Sequence, residues 1–147
     1  MTAARMPVFE RPRVVSERDC DVLGHVNNLR WVRWVVELAD AHSAALGFPF
    51  EVCHREGRVW VVSEQRLHYR RGAVPGERLT EATWVSEFRG ARSVRHSRFT
   101  GPAGDVRFEA TTDWAFVSVA RLRPTRIPKE MQAAFDLVPP AGPEGRP

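Results

Sequence analysis

The sequence predicts an α+β fold in which one long, largely buried helix lies against a curved antiparallel sheet of five strands. Two observations predict it. A helical pattern from about Asn28 to Leu46 is apolar round most of its circumference, whereas the other long apolar segments repeat with a period of two. The order is strand, helix, then four more strands. One helix cannot cover both faces of a sheet, so the second face and an edge need cover, which a second copy of the chain supplies most simply.

Val8 to Val15 reads as the first strand, and Pro12 within it suits an edge position or a strand end. An acidic turn follows. In the helix, Arg30, Arg33, Glu37 and Asp40 recur three and four apart as one polar stripe, while Trp31, Val32, Trp34, Val35, Val36, Leu38, Ala39 and Leu46 occupy the rest. Gly47 stops the helix and Pro49 confirms the stop. Val59, Val61, Leu67 and Tyr69 then alternate with more polar neighbours. Leu79 to Phe88 and Ser93 to Thr100 form two strands joined by a hairpin at Arg89-Gly90-Ala91-Arg92. Pro102-Ala103-Gly104-Asp105 turns into the last strand, which alternates as Val106, Phe108, Ala110, Thr112, Trp114 and Phe116. From Pro139 the Pro- and Gly-rich tail is expected to be disordered, and no internal repeat is visible.

With 147 residues the chain is expected to form a single domain, its core spanning about 8–135 and its tail 139–147. No apolar run approaches the ~18 residues of a membrane span. Met1 to Glu10 lacks the apolar centre of a signal peptide, and Cys20 and Cys53 alone make no disulfide framework, so a cytoplasmic location is expected. The net charge of +4 is carried by arginines interspersed with acids, which gives nucleic-acid binding little support. The five histidines lack zinc-type spacing, so neither a metal nor a cofactor is expected.

The segment Asp19-Cys20-Asp21-Val22-Leu23-Gly24-His25-Val26-Asn27-Asn28 concentrates acids, an imidazole and two amides just before the helix. A helix N-terminus exposes backbone N–H donors and positive partial charge, which can hold a developing oxyanion. A carboxylate or imidazole beside it can attack a carbonyl or activate water. Local capping is the competing account: it covers Asp19 and one of Asn27 or Asn28, but less of the whole set. Cys20 is a poor nucleophile, because the carboxylates around it disfavour a thiolate.

On Asp21-Val22-Leu23-Gly24-His25-Val26-Asn27-Asn28, the Trp31-rich helix, Leu67-His68-Tyr69-Arg70-Arg71, Gly76-Glu77-Arg78-Leu79 and Arg123-Pro124-Thr125-Arg126-Ile127-Pro128, the chain resembles hotdog-fold thioesterases of the 4-hydroxybenzoyl-CoA thioesterase type. The resemblance implies hydrolysis of an acyl-CoA or acyl-carrier-protein thioester by a homodimer or homotetramer. It makes Asp21 the nucleophile or general base and the Asn28 N–H the donor that polarises the carbonyl. His25 matches a histidine of the related plant acyl-carrier-protein thioesterases, although Leu23 replaces the asparagine that accompanies it there. His68 stands where many relatives carry glutamate, and Trp31 where many carry tyrosine. Candidate substrate-binding residues are Asn27, Trp31, His68, Arg89 and Arg92, the two arginines as donors to CoA phosphates. For Trp31, His68 and both arginines, ordinary packing or solvation is the commoner explanation. Two rival readings remain: a hydratase or dehydratase on acyl thioesters, and a non-catalytic acyl-binding module.

Overall fold

A computed structural model describes residues 6–143. Five long strands, β1 (Val8–Val14), β2 (Arg58–Tyr69), β3 (Arg78–Arg89), β4 (Arg92–Thr100) and β5 (Val106–Ser118), pair antiparallel in the order β1-β3-β4-β5-β2. The two-residue strand β6 (Arg123–Pro124) adds to the end of β5. Helix α1 (Asn28–Ala45) lies on one face, as its apolar circumference predicts.

Two short helices were not anticipated: α2 (Phe50–Arg55) and α3 (Lys129–Ala134). Each has six residues, too few to leave a periodic trace, and each follows a proline at its N-cap, Pro49 and Pro128. Pro49 therefore follows the stop of the long helix at Gly47, φ +96°, and starts the next one.

The core has two parts. Towards the start of α1, Trp31 stacks on Phe108 with ring centroids 5.1 Å apart and meets Phe99 edge-on at 5.6 Å. Around them pack Trp34, Val35, Leu38 and Leu79. A second cluster gathers Cys53, Val85, Phe116, Ile127, Met131 and Phe135, so α2, α3 and the chain before α3 close the opposite end.

Between α1 and the sheet runs a polar layer. Glu81, fully buried, accepts from Arg11 Nε at 2.6 Å and Arg13 Nε at 3.0 Å. His42 Nε2 lies 2.8 Å from the Met6 carbonyl and must donate to it, which leaves Nδ1 to accept from Arg95 Nη1 at 2.9 Å. Burial and the Arg95 charge push the His42 pKa down to about 4, and burial lowers that of Arg95 to about 10.

The expected disordered tail needs correction at its start. Trp84 Nε1 donates to the Pro139 carbonyl at 3.1 Å and Arg98 Nη2 to that of Ala141 at 3.0 Å, which ties the segment to the face of the sheet away from α1. Residues 144–147 lie outside those described.

Candidate active site

Between β1 and α1 the chain makes a 3-10 turn at Glu17–Asp19 and then doubles back on itself. Cys20 and Val26 form an isolated antiparallel bridge, the Asp21 N–H donates to the His25 carbonyl at 3.0 Å, and the Gly24 N–H to that of Asp21 at 3.0 Å. Gly24 sits at φ +79°, where a side chain would strain the turn. Asp21 Oδ1 accepts the Leu23 N–H at 2.9 Å, an Asx turn made by the residue itself. The tight turn thus holds Asp21 and His25 opposite each other, both exposed, at the entry to α1.

The capping is divided between neighbours. Asp19 Oδ2 accepts from the N–H and hydroxyl of Ser16 at 2.9 and 3.0 Å, and Oδ1 pairs with Arg30 Nε at 3.3 Å. Asn27 is the N-cap of α1: its side-chain oxygen takes the Leu29 N–H at 2.8 Å and its carbonyl the Arg30 N–H at 2.9 Å. The Asn28 N–H, in the same first turn, has no acceptor among the described residues. An exposed donor at a helix N-terminus, one turn from a carboxylate and an imidazole, can polarise a carbonyl that the carboxylate attacks.

Burial, then the charges of Asp19, Asp21 and Glu17, raise the pKa of Cys20, which favours the thiol over the thiolate.

Three residues outside the Asp19–Asn28 segment shape the site. Tyr69, near the end of β2, donates its hydroxyl to the Asn28 carbonyl at 2.9 Å and so ties the sheet edge to the first turn of α1. Burial raises its pKa, which keeps it a donor. Arg107, 4% exposed, donates through Nη1 to the Gly72 carbonyl at 2.9 Å and through both terminal nitrogens to Glu77 at 3.0 and 2.8 Å, while its Nε reaches Asp105. These hydrogen bonds hold the carboxyls of Glu77 and Asp105 below the usual range. Gly72 is the third: the His25 ring lies directly against it. In the sequence, Arg107 reads as an ordinary member of an alternating strand, and Tyr69 stands within the Leu67–Arg71 motif with no role assigned to it.

The other candidates are placed elsewhere. Trp31 is 2% exposed among Trp34, Phe99 and Phe108, so it supports the helix from the core and is not a wall that substrate can touch. His68 points away from α1, pairs in register with Glu109 and lines a hollow on the outer face of the sheet with Arg70, His96 and Arg98. It does not join Asp21 within the protomer, because neighbouring Leu67 and Tyr69 take the inward face. Arg89 and Arg92 sit at the β3–β4 hairpin, seven positions along β4 from the Phe99 that packs on Trp31, or roughly 23 Å at ~3.3 Å per residue. Arg92 is further engaged by Asp113 at 2.8 Å. Within one protomer neither arginine belongs to the Asp21 site.

Residues 15–135 match the thioesterase-like superfamily, a span that contains the whole candidate site. The chain belongs to that superfamily. As a member of the thioesterase-like superfamily it is a thioester hydrolase. It is 23% identical over 124 residues to a candidate acyl-CoA thioesterase, YneP of Bacillus subtilis (strain 168), covering 84% of this chain and 90% of that protein. A candidate oleoyl thioesterase from Lactobacillus plantarum superposes with a TM-score of 0.83 at 21% identity over 90% of this chain. This chain spans about half of that structure, 52%. A variant of 4-hydroxybenzoyl CoA thioesterase, solved with 4-hydroxybenzoyl CoA, superposes with a TM-score of 0.81 at 19% identity, covering 88% of this chain and 99% of that one. The hotdog fold that the motifs implied is therefore the fold of this thioesterase-like chain.

Proposed function

We propose that the protein hydrolyses an acyl-CoA thioester at the N-terminus of α1. The carbonyl oxygen accepts the Asn28 N–H, and the helix dipole adds to the polarisation. Asp21 then acts in one of two ways. Either its carboxylate attacks the carbonyl carbon, expelling CoA thiolate and leaving an acyl-enzyme anhydride that water cleaves, or it takes a proton from a water that attacks directly. His25, across the turn from Asp21, orients the water or the carboxylate. The observation that carries this reading is the free Asn28 N–H beside the Asp21–His25 turn, in a first helical turn whose next two donors are already capped.

A homodimer or homotetramer is part of the same proposal. Strand β2 is a sheet edge of 12 residues with Val61 and Val62 each 42% exposed, the kind of edge a second copy covers. An acyl-carrier-protein thioester would present the same reacting carbonyl. Thiol release from a panel of acyl-CoAs of graded length and aromatic acyl-CoAs tests the proposal. Hydrolysis supports it and reveals the acyl class; tight acyl-CoA binding without thiol release, or hydration of enoyl thioesters in its place, overturns it.

A further inference from the structure

The segment 70–77 that links β2 to β3 is held far more firmly than a surface loop usually is. The N–H groups of Arg70 and Arg71 both donate to the Arg107 carbonyl, at 2.9 and 3.1 Å, while the Arg107 side chain takes the Gly72 carbonyl and Glu77. Glu77 in turn accepts the Val74 N–H at 2.9 Å, and Arg71 reaches Asp105 at 3.0 Å. The clamped segment then holds its neighbours: the Ala73 carbonyl accepts the Val26 N–H at 2.9 Å, and the Gly76 N–H donates to Val15 at 2.8 Å. A rigid surface therefore faces the Asp21–Val26 turn.

Gly72 is the point of contact. A Cβ built there would lie 2.9 Å from His25 Cδ2, closer than real side-chain carbons come, and 3.2 Å from Cγ, itself a tight contact. Gly72, unlike Gly24 or Gly76, does not occupy the left-handed region, so its backbone would accept any residue. What requires glycine is the imidazole. No hydrogen bond to a ring nitrogen of His25 exists among the described residues, so contact with Gly72 is what limits where the exposed ring can stand.

We infer that Gly72 is a positioning residue for His25: the bare backbone at 72, clamped by Arg107, sets where the imidazole stands relative to Asp21. The inference rests on the role proposed above for His25. Because the ring is a mobile side chain with solvent on its other side, Gly72→Ala moves the ring and leaves the fold intact.

The test is a double-mutant cycle of Gly72→Ala and His25→Ala, with thermal melting to show that each variant folds. Gly72→Ala is expected to lower kcat by about 10- to 100-fold, the order of loss that a displacement near 1 Å produces, with KM changed less than about twofold. In the His25→Ala background the same substitution adds less than about twofold. Unchanged kcat in Gly72→Ala, or an equal loss in both backgrounds, overturns the inference. A separate readout is the NMR resonance of the His25 Cδ2 proton, which must move in Gly72→Ala; an unmoved resonance overturns the inference whatever the kinetics. If His25→Ala keeps full turnover, the proposed role of His25 falls, and the resonance alone then decides whether Gly72 positions the ring.

Discussion

Replacing Asp21 with asparagine separates the two things its carboxylate does. Oδ1 accepts the Leu23 N–H at 2.9 Å, and an amide oxygen does the same, so Asp21→Asn keeps the turn. Nothing packed is disturbed either, since Asp21 is exposed and Val22 beside it is 102% exposed. The expected change in stability is therefore within about 0.5 kcal/mol. What the amide loses is charge: it can neither attack a thioester carbonyl nor take a proton from water. Turnover should fall by at least ~100-fold, which is about 2.7 kcal/mol of transition-state stabilisation. Asp21→Ala also removes the turn acceptor and adds a cost of about 0.5–1 kcal/mol in stability, so melting the two variants side by side separates turn from chemistry. The assay is thiol release from the best acyl-CoA of the panel. Turnover of Asp21→Asn within a few-fold of the parent would refute the assignment. If the loss is found, single-turnover hydrolysis in heavy-oxygen water divides the two routes: label in the enzyme carboxylate indicates the anhydride, and its absence indicates direct attack by water.

Three further outcomes are expected. Arg107→Met should destabilise the protein by about 1–3 kcal/mol, roughly 2–12 °C in Tm, because it removes the guanidinium from Glu77 and from the Gly72 carbonyl, while Asp105 keeps Arg71. Both carboxyls have pKa values lowered in the fold, so this stabilisation is present at neutral pH and lost as the pH falls through the lowered values. Melting curves of the two proteins should converge in acid, and a gap that stays constant would show that the clamp is not ionic. Tyr69→Phe removes only the hydroxyl that reaches the Asn28 carbonyl, and should cost about 1 kcal/mol in melting while lowering kcat more than it raises KM; equal kcat would show that the first turn of α1 needs no such tie. His42, with its pKa lowered to about 4, should stay neutral through pH 6 in an NMR titration. Its contribution is present above the ordinary histidine value of ~6.5 and lost as the pH falls towards 4, and a midpoint near 6.5 would refute the buried, neutral assignment.

The sequence revealed long elements and local chemistry, and missed most contacts between distant segments. The 18 residues of α1 and the alternating runs of β5 carry enough periods to identify themselves, whereas α2 and α3 are six residues each and do not. Asp21, His25 and Asn28 could be grouped as candidates because they lie within one stretch of eight residues. The placement of His68 could not be read: its face of β2 depends on register, and a strand gives no sign of which face meets the helix until its partners are known. Trp31 shows the same ambiguity, since an aromatic on a helix reads alike whether it meets substrate or Phe108. Arg107 and Gly72 are 35 residues apart and meet only through pairing of β2 with β5, so neither stood out.

The division of labour in the fold explains why the proposed site sits where it does. The first turn of α1 is anchored by Trp31 in the core, so its free N–H is fixed by packing that no substrate touches. The Asp21–Val26 turn has no such anchor except Val26, which is 6% exposed and bound to the Ala73 carbonyl. Placement of the carboxylate and imidazole relative to that N–H therefore draws on the segment 70–77, made rigid by Arg107, together with the Asp19 carbonyl, which takes the Asn27 N–H at 2.9 Å. A loosened clamp would leave the Asn28 N–H where it is and let Asp21 and His25 drift from it. Arg107→Met should accordingly lower kcat even at temperatures where the variant remains fully folded, and an unchanged kcat in the folded variant would show that the clamp does not place the turn.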